Sequence, residues 1–115
     1  MNETYIVKLP ASGKVETLPF NAENSYSQLH DTIGGCIEAA IIPTISTKEN
    51  YTIDCYVDEE GLLKHLPLNG RLTTFAMPVY PNPLVGDAVF VAHDEYGETV
   101  GLSKADADAI VSMFV

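Results

Sequence analysis

Gly34-Gly35-Cys36-Ile37-Glu38 is the stretch on which the fold of this chain turns. Just upstream, Tyr26, Leu29 and Ile33 recur at helical spacing, so a helix runs into the glycine pair. A glycine immediately past a helix takes the left-handed conformation that closes the last free carbonyls. The residues that follow, Cys36 to Ile42, are apolar and end in β-branched side chains. They predict a largely buried strand, with Glu38 its one charged member. The order helix, glycine pair, strand also excludes a phosphate loop, because no helix N-terminus follows the glycines to face an anion.

Toward the N-terminus, Thr4–Leu9 and Val15–Phe20 alternate as strands around the turn Pro10-Ala11-Ser12-Gly13-Lys14, which predicts an opening hairpin. Downstream, Tyr51, Ile53, Cys55 and Val57 alternate with Thr52, Asp54 and Tyr56, the clearest strand pattern in the chain. Asp58-Glu59-Glu60-Gly61 is a turn, with Leu62–Leu66 as its returning strand. Pro67–Arg71 breaks regular structure, Leu72–Ala76 is one helical turn or a short strand, and the three prolines in Met77–Pro83 make that stretch irregular. Leu84–Ala92 is a strand with a bulge at Gly86-Asp87, His93–Gly97 turns, and Glu98–Leu102 returns. Ser103 caps a last helix, with Asp106 three residues on, and Ile110, Met113 and Phe114 form its buried side. The sum is a single α+β domain over residues 1–115, a mainly antiparallel sheet of about five to seven strands with two helices.

Hydrophobic residues make up 46% of the chain, enough for a core without staples, so a folded domain and not disorder is expected. Sixteen Asp and Glu stand against six Lys and Arg, giving a net charge of −10. Such a surface repels phosphate backbones and suits a basic protein partner; direct nucleic-acid binding is not expected. No apolar run is long enough for a membrane span, and Met1-Asn2-Glu3-Thr4 does not open a secretory leader. A cytoplasmic protein is therefore expected, with Cys36 and Cys55 both reduced and buried.

Short motifs carry a family resemblance. Gly34-Gly35-Cys36-Ile37-Glu38, Tyr56-Val57-Asp58-Glu59-Glu60-Gly61, Leu66-Pro67-Leu68-Asn69-Gly70-Arg71 and Val85-Gly86-Asp87-Ala88-Val89 follow one another in that order. In this series the chain resembles the small family catalogued as domain of unknown function 3846, found in phages, plasmids and bacterial genomes. The resemblance runs to about Val91 and is not carried into the last helix. It implies an accessory role, such as managing a host, and no mechanism.

Several residues carry candidate chemistry. Glu38, Asn69 and Arg71 (the one arginine) are the candidate ligand-binding set, for a small molecule or nucleotide; the competing role for Glu38 is a charge on the open face of an edge strand, and that for Arg71 an internal pair with Glu38 or Asp87. Asp58, Glu59, Glu60, Asp94 and Glu95 are the candidate partner-binding set. Adjacent carboxylates in a tight turn point apart, and Leu62-Leu63 supplies no oxygen ligands after Gly61, so calcium is not expected there. His30, His65 and His93 match no zinc spacing with the two cysteines. No metal, cofactor or recognisable catalytic set is expected. The leading expectation is a small non-enzymatic binding protein of phage or mobile-element type that occupies a basic site on a host protein. The alternatives are a small-molecule or nucleotide-binding module, with a homo-oligomer as one form, and a structural or assembly protein.

Overall fold

A computed structural model describes residues 3–115, so Met1 and Asn2, part of the stretch read as lacking a leader, lie outside the described residues. Six strands and three α-helices are present among the described residues: β1 Tyr5–Leu9, β2 Glu16–Pro19, α1 Ser25–Ile33, β3 Ile37–Ala39, β4 Tyr51–Asp58, α2 Gly70–Ala76, β5 Ala88–Asp94, β6 Thr99–Val100 and α3 Lys104–Met113. The strands form one sheet in the order β2-β1-β5-β4-β3, with β6 also paired to β5. All pairings are antiparallel. The α+β class and strand number agree with the sequence pattern, whereas α2 adds a third helix to the two expected.

The sheet is covered on both sides. Val7, Leu9, Ile53, Cys55, Phe90 and Ala92 face a core closed by Leu72 and Ala76 of α2 and by Ala107 and Ile110 of α3. Ile6, Val89 and Val91 face the other side, against Leu29 and Ile33 of α1. Consecutive residues of β5 are thus buried on both faces, as expected for a central strand. Phe90 is fully buried and its ring meets Phe114 at 5.5 Å. Burial of such a side chain contributes roughly 1.5–3 kcal/mol.

Local signals place the helices. Asn21 Oδ1 accepts from the backbone N–H groups of Glu23 and Asn24, both at 3.1 Å, and opens a 3-10 turn at Ala22–Asn24 that leads into α1. Gly34, at φ 89°, ends α1, and its N–H donates to the His30 carbonyl at 2.8 Å. Ser103 Oγ accepts from Asp106 N at the start of α3.

Several expectations are corrected. First, Cys36–Ile42 is not a buried strand. Pairing covers only Ile37–Ala39, an edge strand in which Glu38 and Ala39 are exposed, and Cys36 is exposed rather than buried. An apolar run does not reveal whether a neighbour exists on its far side. Ile42 and Ile45 still turn inward and pack on the core. Second, Leu62–Leu66 forms helical turns, not a returning strand. Lys64 N donates to Glu60 O and Leu66 N to Gly61 O. Asp58 Oδ1 starts these turns by accepting from Glu60 N. Third, Asn69-Gly70-Arg71 opens α2 instead of breaking structure. Fourth, Met113 is exposed; Ala107, Ile110 and Phe114 are the buried residues at that end. Gly86, at φ 78°, precedes β5 rather than bulging within it.

Candidate functional site

Asn69 and Arg71 hold the fold together with the very groups that suggested ligand binding. Asn69 is fully buried. Its Nδ2 donates to the carbonyls of Leu9 and Gly86, each at 3.0 Å, and its Oδ1 accepts from Leu72 N at 3.1 Å, capping α2. The Arg71 guanidinium donates to three carbonyls: Phe114 at 3.1 Å, Pro10 at 3.0 Å and Gly13 at 2.6 Å. The internal role expected for Arg71 is therefore present, but its partners are backbone carbonyls and not Glu38 or Asp87. Asp87 pairs with Lys8 instead. Glu38 lies on β3, three strands across the sheet from β1, so the three residues do not converge on one pocket.

The acidic residues also separate. Tyr51 pairs with Asp94, and Asp58 ends β4 seven residues further on. At about 3.3 Å per residue, Asp58, Glu59 and Glu60 stand roughly 23 Å from Asp94 and Glu95. Asp58 is buried and neutralised by Lys64 Nζ at 2.8 Å. The Lys64 hydrogen bond holds the Asp58 carboxyl below its ordinary range, against the opposing effect of burial. Asp94 Oδ1 accepts from Tyr96 N and Glu98 N, both at 2.9 Å, and so shapes the β5–β6 turn. Glu59, Glu60 and Glu95 are exposed.

The Asp94 end of the sheet carries a polar cleft of about 440 Å³, lined by Glu49, Tyr51, Thr52, His93, Asp94 and Glu95 among others, with no lysine or arginine among its lining residues. Thr52 sits directly across from His93 in the β4–β5 ladder, and Asp54 across from Val91. The diagonal places Asp54 Oδ2 at 2.6 Å from His93 Nδ1. With the carboxylate ionised, Nδ1 carries the proton of this bond, on a part-exposed ring. Tyr51, another lining residue, is held by α3. Tyr51 OH donates to Asp106 Oδ2, and Thr47 Oγ1 donates to the same oxygen at 2.5 Å. Glu49 N donates to Thr47 Oγ1 at 3.0 Å, tying the loop that carries Glu49 to this network. Burial and the Asp106 contact raise the Tyr51 phenol above its ordinary pKa.

Of the expected residues, then, Asp94 and Glu95 share a site with Glu49, which was not singled out from the sequence, and with His93, which was weighed only as a zinc ligand and is held here by Asp54. Alternation did place Asp54 on the Thr52 face. Assigning His93 to a turn hid its partner, because β5 in fact continues through Asp94.

This cleft brings three carboxylates, those of Glu49, Asp94 and Glu95, to one end of the sheet. Among the described residues no cluster of three metal-ligating side chains occurs, and no helix is long and apolar enough to cross a membrane. No curated protein and no solved structure matches the chain. The family described as domain of unknown function (DUF3846) matches residues 6–115, through α3 and beyond the Val91 limit set by the motifs, and the chain belongs to that family.

Proposed function

We propose that this protein is a small acidic binding protein whose partner is a basic protein, engaged at the Asp94 end of the sheet. The observation that carries this reading is the placement of Glu49, Asp94 and Glu95 around one cleft without a lysine or arginine among its lining residues. Three acidic groups elsewhere are paired with lysine: Asp58 with Lys64, Asp87 with Lys8 and Asp108 with Lys104. A lysine or arginine entering the cleft would meet the carboxylates of Glu49 and Glu95, a charge-assisted arrangement. In this reading the protein acts in the cytosol, in a phage or mobile-element setting, by occupying a basic site on a host protein. The separation of the two acidic ends confines the contact to one end and argues against mimicry of a continuous run of phosphates.

The test is capture from bacterial lysate by immobilised protein at low and high salt, with Glu49→Lys, Glu95→Lys and a Glu23→Lys control. A basic partner should be held at low salt and released near 1 M, where the screening length falls to about 3 Å. Both cleft variants should lose it and the control should keep it. Capture that is indifferent to salt, or to both cleft variants, would refute the reading.

A further inference from the structure

The two edges of the sheet differ in a way that points to a second binding surface. On β2, Phe20 N donates to Thr4 O, which sets the ladder phase and turns Thr17 and Pro19 to the outer edge. Proline has no N–H, and the Pro19 carbonyl accepts from Gln28 Nε2 at 2.7 Å. That edge is closed to a further strand. On β3, Glu59 N donates to Cys36 O and Ala40 N donates to Cys55 O. The intervening ladder therefore turns the N–H and C=O of Ile37 and Ala39 outward, where no strand follows. Neither residue is a proline, and no side chain among the described residues caps either group.

Glu38 decides what fits there. Two copies of β3 paired antiparallel, with Ile37 across from Ala39, would set Glu38 directly against Glu38 of the second copy, a destabilising like-charge pair between molecules of charge −10. An extended segment with a lysine or arginine at that position converts the same carboxylate into an attractive cross-strand partner. Glu38 shares a face with Val57, whereas Ile37 and Ala39 share the opposite face with Asp58 and Tyr56. The matching segment thus alternates a cation with small apolar residues. Just beyond, the chain from Ala39 to Ile45 and the β4 residues Thr52–Asp54 enclose a cleft of about 260 Å³, room for one further apolar side chain.

We infer that the open edge of β3 takes up an extended basic segment of a partner protein by strand addition. The preference for a basic partner is shared with the proposed function, but the β3 edge itself contributes no residue to the Asp94 cleft, which only shares Thr52 with the smaller cleft beside the edge. The probe is a capped seven-residue peptide of alternating lysine and valine, with amide hydrogen exchange of the folded protein followed by NMR. Saturating peptide should slow exchange of the Ile37 and Ala39 amides at least tenfold. Glu38→Lys should abolish that protection and Glu95→Lys should leave it intact, so failure of the cleft reading does not alter this outcome. Ala39→Pro, which removes one outward N–H, should also abolish protection at Ile37; if it does not fold, Glu38→Lys decides alone. Unchanged exchange at both amides overturns the inference. So does equal protection by a glutamate–valine peptide, or protection that rises with protein concentration without peptide, which would make the edge a contact between copies.

Discussion

Substitution of Asn69 separates its two structural roles, and the separation is measurable. If Asn69 served only as the N-cap of α2, Asp would replace it at little cost, since the two are near-equal caps. The structure requires more of it. Its Nδ2 satisfies the carbonyls of Leu9 and Gly86 inside the core, and its Oδ1 satisfies Leu72 N. Asn69→Ala removes three buried hydrogen bonds. At roughly 1 kcal/mol per bond, the loss is about 3 kcal/mol. With an unfolding entropy of about 2.1 cal/mol/K per residue over 115 residues, that lowers Tm by about 12 °C. Asn69→Asp keeps the cap acceptor but aims a carboxylate at two carbonyl oxygens in a fully buried position. It is expected to destabilise at least as much as Ala at pH 7. Urea unfolding with unchanged slope m is the assay. An Asp variant within about 0.5 kcal/mol of wild type would show that only capping matters and would refute the argument.

Other perturbations test further parts of the structure. Arg71→Lys replaces a fork that reaches three carbonyls by a single ammonium, and is expected to cost about 1–2 kcal/mol in the same unfolding assay; a neutral result would mean the Pro10, Gly13 and Phe114 contacts are dispensable. The carboxyl of Asp58 is held below its usual pKa by the Lys64 hydrogen bond. Stability from that pair is present above the unfolded value of about 3.9 and is lost as pH falls through the folded value, so acid unfolding of Asp58→Asn should be shallower than that of wild type. Cys36 is exposed, whereas burial drives the Cys55 thiol far above its ordinary pKa. A thiol reagent should therefore label one cysteine in the native protein and the second only on unfolding, with Cys36→Ser removing the native reaction; native labelling of Cys55 would contradict its burial.

Sequence reading succeeded where the determining interaction is local. Gly34 after Ile33, Ser103 before α3 and the alternation from Tyr51 to Val57 each depend on neighbours within a few residues. It failed where strand order or register decides. Cys36 is exposed because β3 has a neighbour on one side only. Asp54 meets His93 only once β4 and β5 are set in register, 39 residues apart in the chain. The hydrogen-bonding capacity of Asn69 was legible, but its acceptors lie 60 and 17 residues away, so consumption of that capacity inside the core was not.

The motifs that identify the family have structural work to do at each point. Gly34 needs its left-handed φ. A Cβ on Gly35 would sit 2.5 Å from Asp58 Oδ2 and 2.6 Å from Lys64 Nζ, so that glycine makes room for the ion pair that anchors the Asp58 turn. Asn69 ties α2 to the end of β1 and to Gly86, and Arg71 ties it to the first turn and the C-terminal end of α3. Motif residues with these duties report on folding when mutated, and a loss of binding in such variants would be ambiguous. Glu49, His93 and Glu95 lie outside the motifs on a surface that the same scaffold holds fixed. Recognition that differs among members of the family is therefore best sought in that cleft and along the β3 edge, where a side chain can change without removing a core hydrogen bond. Glu38 is the exception that joins the two classes: a motif residue, exposed, paired through backbone alone, and so free to act on a partner.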